Sequence, residues 1–275
     1  RGLDLEMIEA SVLDTDALRA AVSGTEIVFH LAAMISSKES MENPRECVEI
    51  NTLGTLNVLR AAADAGVRKL VFASSAAVYG DDPPVPTVET TTPKPKSPYA
   101  ITKLDGEYYC EMFAREGWLN TASLRFFNVF GPGQDPAGPY AAAVPAFMDL
   151  AVRGEPLTIF GDGEQSRDFI YVKDAVSSLV FAAEKVELTG AFNCGYGHQT
   201  TVNEVVRRIL ARMGSRSPVL HLPERPGDVR HSCASTNKIH AAGWRPVSSL
   251  DEGLRETLAE FGKVVRQDFT DPRPR

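Results

Sequence analysis

The sequence predicts an α/β protein built on a doubly wound parallel sheet, joined by a smaller α/β part. Three observations carry this reading. Short apolar runs with strand character alternate with longer stretches of helical period. Strand–helix–strand alternation implies right-handed crossovers, and hence parallel strands. Residues suited to chemistry follow the ends of those runs, after positions 31, 73 and 127, where ligands sit in sheets of this kind.

The elements follow in order. Met7–Glu9 reads as the first strand, then Ser11–Asp14 leads to a helix over Thr15–Val22. Glu26–Leu31 reads as a buried strand closed by Ala32 and Ala33. Pro44–Ala65 reads as one helix: Val48, Leu53, Leu56 and Leu59 make its apolar stripe and Gly66 its C-cap. Lys69–Ala73 is the next strand, continued by the small hydroxylic residues Ser74 and Ser75. The stretch 81–96 holds five prolines and reads as a loop. Tyr99–Arg115 reads as a helix, Thr121–Phe127 as a strand and Gly131–Gly138 as a Pro/Gly turn. No internal repeat or low-complexity segment is present.

Composition narrows the function classes. A chain of 275 residues can bury a large core. Hydrophobic content of 43% and charged content of 24% are ordinary for a globular protein. A net charge of −7, with no Lys/Arg run, speaks against a nucleic-acid partner. No apolar stretch approaches the roughly 20 residues that span a bilayer, so no membrane association is expected. Cys47, Cys110, Cys194 and Cys233 are scattered and read as reduced packing residues of a cytoplasmic enzyme. The five histidines show no metal-ligand spacing, so no metal is expected.

The chemistry centres on Ser97-Pro98-Tyr99-Ala100-Ile101-Thr102-Lys103. One helical turn puts Tyr99 and Lys103 on the same face. A free tyrosine ionises near about pH 10, too high for a base at neutral pH. A fixed ammonium favours the phenolate, and a serine at an adjacent strand end can share its proton or hold a substrate hydroxyl. Ser75, in Phe72-Ala73-Ser74-Ser75-Ala76-Ala77-Val78-Tyr79-Gly80, supplies that serine. The set is a general acid–base device for alcohol/ketone chemistry.

With the later motifs, these segments resemble the extended short-chain dehydrogenase/reductase family, specifically its NAD-dependent nucleotide-sugar epimerases and dehydratases, over about Glu6 to Phe261. The resemblance implies a Rossmann-like fold. It equates Met7–Glu9 with the family's third strand. No Gly-x-x-Gly-x-x-Gly or Gly-x-Gly-x-x-Gly precedes that segment. The resemblance therefore implies that the first βαβ unit is missing, as in a fragment or the ordered part of a longer protein. The choice between NAD and NADP is made in that part; NAD is the family's expected cofactor. The domains implied are 1–128 with 168–196 for the cofactor, and 129–167 with 197–275 for the nucleotide sugar.

Residue by residue, the resemblance implies Ser75, Tyr99 and Lys103 as catalytic. It lines the cofactor with Leu31, Ala32, Ala33, Asn51 and Ser74 as well as Tyr99 and Lys103. Ser11 stands where relatives often carry an aspartate on adenine, and the backbone at Val12 can substitute. Arg167, in Phe160-Gly161-Asp162-Gly163-Glu164-Gln165-Ser166-Arg167-Asp168-Phe169-Ile170-Tyr171-Val172, and Arg225, in Arg225-Pro226-Gly227-Asp228-Val229-Arg230-His231, clamp the diphosphate. Asp228 meets the ribose, and Asn128 the sugar-phosphate. Arg230 stays open between a phosphate contact and a solvated cation.

Dehydratases of the family carry Asp-Glu at the positions of Ala76 and Ala77, and decarboxylases a glutamate in this stretch. Two methyl groups cannot transfer protons, which leaves 4-epimerisation of a UDP-sugar through a 4-keto intermediate. The resemblance puts Ser232 where some hexose-specific epimerases carry a bulky tyrosine, and so implies room for an N-acetyl group. Other reductase or dehydratase chemistry, or an inactive fragment without the phosphate-binding turn, are the alternatives. Relatives form homodimers through helices matching Pro44–Ala65 and Tyr99–Arg115.

Overall fold

The computed structural model describes residues 5–136, 142–225 and 228–270, with the side chains of 262–270 left aside. The chain divides into two units. The first holds the residues up to Gly80, Pro93–Arg125 and Leu179–Phe192. The second holds Asp81–Thr92, Phe126–Ser178 and the residues from Asn193.

The first unit is laid on a sheet of β1 (Ile27–His30), β2 (Lys69–Ser75), β3 (Thr121–Phe126) and β7 (Gly190–Cys194), in that order. β1 and β2 run parallel, with Ile27 opposite Lys69 and His30 opposite Phe72. Helices α1 (Thr15–Val22), α2 (Ser37–Glu42), α3 (Pro44–Cys47), α4 (Gly54–Asp64) and α5 (Pro98–Arg115) belong to it. Val58, Leu59, Ala62, Leu70, Phe72 and Phe113 form its core, with Val12 and Leu18 packed against them.

Sequence cues place these helices closely. Asp14 caps α1 by accepting from the amides of Asp16 and Ala17. Ser97 caps α5 by accepting from Ala100 N, and Pro98 fills the first turn, where a missing N–H costs nothing. Gly106 lets α5 lie directly on the Phe72 ring; a Cβ there would stand 2.4 Å from Cζ.

Three expectations are corrected. Met7–Glu9 is not a strand: residues 5–10 are irregular, and Met7 is 96% exposed. A strand exists by its ladder, and this segment joins none among the described residues. Glu26–Leu31 shortens to Ile27–His30 and is only half-buried, because β1 is the last strand of this sheet among the described residues; Phe29 is 43% exposed. The single helix over 44–65 is instead α3, a π-helical segment Val48–Leu53 and α4. The wider turn rotates the stripe, so Val48 and Leu53 face outward while Leu59 is fully buried. Ala65 caps α4, and Gly66 follows at φ +70°.

The second unit has a three-stranded sheet of β4 (Asn128–Phe130), β6 (Ser166–Tyr171) and β8 (Gln199–Thr201). β4 pairs parallel to β6, and β8 antiparallel to it. β5 (Leu157–Phe160) and β9 (Val219–Leu222) form a parallel pair. Helices α6 (Ala143–Arg153), α8 (Val202–Met213), α9 (Asn237–Ala242) and α10 (Leu250–Thr270) accompany them, and α7 (Val172–Glu184) follows β6. Phe130, Met148, Leu157, Ile159, Ile209 and Leu254 are core. Of the expected turn at Gly131–Gly138, residues 137 and 138 lie outside the described residues. Among the described residues no helix is long and apolar enough to cross a membrane. The four thiols are buried and unpaired with one another.

His30 ends β1 inside the core, hydrogen-bonded through Nε2 to Thr55 Oγ1 at 2.8 Å and tilted over Phe72. Burial first, and the charge of Lys103 second, lower its pKa from 6.5 to about 4. The native state thus holds this imidazole neutral, while the unfolded chain takes a proton below 6.5. The sign is that of a depressed group: its stability contribution is complete above pH 6.5 and lost as pH falls toward 4. We expect urea unfolding to show a loss of about 3 kcal/mol across that window from this group. His30→Gln should flatten that part of the pH dependence; an unchanged slope contradicts the assignment.

Candidate active site

Tyr99, Lys103 and Ser75 come together where α5 crosses the end of β2. The first turn of α5 is held from outside as well as by its cap: Ser40 Oγ accepts from Tyr99 N at 3.1 Å. Lys103 is buried, and its Nζ donates to Ala73 O at 2.7 Å. The same ammonium lies 5.0 Å from the Phe72 ring centroid and 5.9 Å from that of Tyr99. Burial lowers the Lys103 pKa to about 8, so it stays mostly charged at neutral pH.

The Tyr99 phenol departs from the simple expectation of a phenolate. Burial raises its pKa, a hydrogen bond with Ser75 pulls it back, and Cys47 adds to the rise. Desolvation outweighs the Ser75 hydrogen bond. In the free protein the phenol therefore holds its proton, with Ser75 as the partner favouring ionisation. Ser75 Oγ also accepts from Ala77 N at 3.1 Å, which fixes its rotamer at the start of the turn Ala76–Tyr79.

Asn51 sits in the π-helical segment and is buried. Its Oδ1 accepts from Met34 N at 2.7 Å, and its Nδ2 donates to Met34 O and to Thr102 Oγ1, each at 3.0 Å. It thus ties the loop after β1 to α5. π-segments of this kind recur at functional sites because they turn one side chain inward. Leu31 and Ala32 are exposed and Ala33 is half-buried, leaving the backbone after β1 open. Ser11 is exposed, its Oγ accepting from Leu13 N, and Val12 packs beside Gly54. Small side chains beside an open backbone, with an ammonium that has donors to spare, fit the ribose and ring of a nicotinamide cofactor. Ala32, Ala33 and Lys103 are the residues that would hold it. Ser74 turns elsewhere, toward Glu107.

The second unit carries a cavity of about 440 Å³, lined by Asn128, Phe160, Gln165, Arg167, Arg225 and Asp228 among others. It collects four of the residues singled out by sequence: Asn128, Arg167, Arg225 and Asp228. Arg167 reaches Asp228 Oδ1 at 2.5 Å and Ser166 O at 2.9 Å. Burial lowers its pKa, with Asp228 opposing. The guanidinium of Arg225 stacks 3.5 Å from the Phe160 ring centroid. Two cations on an apolar wall suit phosphate oxygens. Pro226 and Gly227, within the Arg225 motif, lie outside the described residues. Arg230 is committed to Asp162 by two bonds of 2.8 Å. Ser232 does not line this cavity; its amide donates to Ser166 O at 3.1 Å.

Sequence reasoning missed two buried carboxylates. Asp168 is fully buried and accepts from the amides of Tyr196, Gly197 and Ala234 at 2.7, 3.0 and 2.9 Å. Burial pushes its carboxyl up to about 6, against the pull of those donors. It ties the residues after β7 and those around Ala234 to β6, beside Arg167. Glu107, one turn beyond Lys103, pairs with Arg125; its place on the face of Lys103 follows from helix spacing, but its pairing does not.

Comparison with known proteins now applies. The model of the NAD dependent epimerase/dehydratase family matches residues 1–195. A UDP-glucose 4-epimerase of Mycolicibacterium smegmatis is 36% identical over 259 residues, 93% of this chain and 82% of that protein. The solved UDP-N-acetylglucosamine 4-epimerase of Methanobrevibacter ruminantium, bound to UDP-N-acetylmuramic acid, superposes with a TM-score of 0.90 at 36% identity, covering 94% of this chain and 83% of that one. The UDP-glucose 4-epimerase of Thermus thermophilus in complex with NAD gives 0.84 at 37% identity, over 92% and 83%. The family match over residues 1–195 and the parallel sheet agree, and the chain belongs to the NAD-dependent epimerase/dehydratase family.

Proposed function

We propose that this protein interconverts the C4 epimers of a UDP-sugar, with NAD as cofactor. The observation that carries this is the content of the site: one phenol, one ammonium and one hydroxyl, with Ala76 and Ala77 following where a second proton carrier would stand. Such a set serves one carbinol. NAD, when bound, supplies the reversible hydride exchange at C4.

The chain's own residues do the rest. Ser75 holds the 4-oxygen of the sugar, and Tyr99 takes its proton as the carbinol is oxidised, then returns it to the other epimer. Lys103 stabilises the ionised phenol as the incoming hydroxyl replaces lost solvent. Arg167 and Arg225 grip the diphosphate, Asp228 the ribose and Asn128 the sugar-phosphate, so the sugar can turn while its handle stays fixed. UDP-glucose/UDP-galactose and the N-acetylated pair both fit this scheme; the likeness to the archaeal UDP-N-acetylglucosamine 4-epimerase supports the acetylated pair.

Four buried thiols suit the cytoplasm. Val48, Leu53, Ile101 and Tyr108, all 44–58% exposed, form the apolar surface through which we expect a homodimer. A single monomeric boundary in sedimentation at micromolar concentration contradicts that pairing.

Tyr99→Phe should lower kcat by roughly 10²–10⁴-fold while leaving UDP-sugar affinity nearly unchanged. The assay couples product to a second enzyme, with UDP-glucose and UDP-N-acetylglucosamine compared side by side. Near-normal turnover by the variant contradicts the base, and refusal of the acetylated sugar confines the substrate to the UDP-glucose/UDP-galactose pair. Stoichiometric consumption of NAD would instead assign net oxidation.

A further inference from the structure

Three side chains of α5 spaced four residues apart each bind one of three successive residues of β2. Tyr99 meets Ser75, Lys103 donates to Ala73 O, and Glu107 accepts from Ser74 Oγ. The first two belong to the proposed chemistry. The third does not, and it is the most heavily built. The side chains of Glu107 and Arg125 are buried, with 7% and 6% exposed. Arg125 holds Glu107 with Nε at 2.9 Å and Nη2 at 2.6 Å, and donates through Nη1 to Tyr79 OH at 2.8 Å. Its guanidinium also lies 4.9 Å from the Tyr79 ring centroid.

A buried ion pair is a weak stabiliser, because each ion loses its hydration. An apolar pair could fill the same space between α5 and β3. What an apolar pair could not do is accept the Ser74 hydroxyl on one side and fix the Tyr79 hydroxyl on the other. Those two contacts bracket the segment 74–79 that contains Ser75, Ala76 and Ala77. Both carboxylate oxygens and all three guanidinium nitrogens are engaged, so the unit is rigid.

Resting on the epimerase reading above, we propose that Ser74, Glu107, Arg125 and Tyr79 form a positioning unit that holds the end of β2 so that Ser75 is aimed at the Tyr99 oxygen. None of the four touches the reacting atoms. Removing the third rung lets the strand end move while the other two rungs keep the helix in place. Glu107 cannot be removed cleanly, since that strands a buried Arg125. Ser74→Ala is the clean cut: Glu107 keeps Arg125 and only the link to β2 is lost.

Two readouts decide it. The first needs no substrate: 3-fluorotyrosine at position 99, which ionises at lower pH than tyrosine, is titrated by ¹⁹F NMR with and without Ser74→Ala. The groups facing this phenol are Ser75, Lys103 and Cys47. Loosening Ser75 should move the midpoint upward. The second is turnover: kcat should fall about tenfold, UDP-sugar affinity should stay within about threefold, and the melting temperature should hold within a few degrees, as expected when only the aim of a group is lost. An unmoved midpoint overturns the proposal, and so does a moved midpoint with unchanged kcat or a kcat loss that tracks the melting temperature. If the wild-type protein turns over no UDP-sugar, the functional reading fails, and the titration alone still decides the positioning unit.

Discussion

The site depends on the bond between a lysine and a strand end. Lys103 Nζ to Ala73 O draws an ammonium into the interior, against Phe72 and beside Tyr99. Burying that charge is unfavourable, and the lowered pKa of Lys103 is its record. The contact persists because α5 is fixed from several sides: by its own cap at Ser97, by Ser40 on the amide of Tyr99, by Asn51 on Thr102 and by Gly106 lying flat on Phe72. Each of these sets the same variable, the height and rotation of one helix over one strand.

The same economy of means recurs in the second unit. Asp168 gathers three backbone amides from two distant segments. Its neighbour Arg167 is thereby presented to the cavity, already oriented by Asp228. In both units the residue expected to meet ligand stands next to a buried polar side chain that is hydrogen-bonded within the protein. Ser74 beside Ser75, and Asp168 beside Arg167, show how alternate side chains of a strand divide the work between holding the chain and facing outward.

Much of this was legible in the sequence. Caps, glycines and period located α1, α5, β2 and β3 within a residue or two, because those signals are local. Tyr99 and Lys103 were legible because helix spacing alone fixes their shared face. The failures have physical reasons. Met7–Glu9 has the composition of a strand, but strands need partners, and composition carries no information on pairing. The π-helical segment 48–53 has no signature in residue type, so a uniform helical period puts Val48 and Leu53 on one stripe with the buried Leu59. Arg125–Glu107 lies between elements 18 residues apart, and Asp168 binds amides up to 66 residues away. The raised pKa of Tyr99 was also beyond sequence, since desolvation belongs to the folded environment and not to the Tyr-x-x-x-Lys spacing.

The central claim is that this arrangement oxidises and re-reduces a single carbinol carbon with one proton carrier, Tyr99. Its most direct test is isotopic. A UDP-hexose bearing deuterium at C4 is converted in ordinary water, and the product is read by NMR and mass spectrometry. The account predicts that the inverted product keeps its deuterium at C4 and that none appears in solvent. Loss of the label to water would mean that C4 exchanges as a proton, and it would contradict the account.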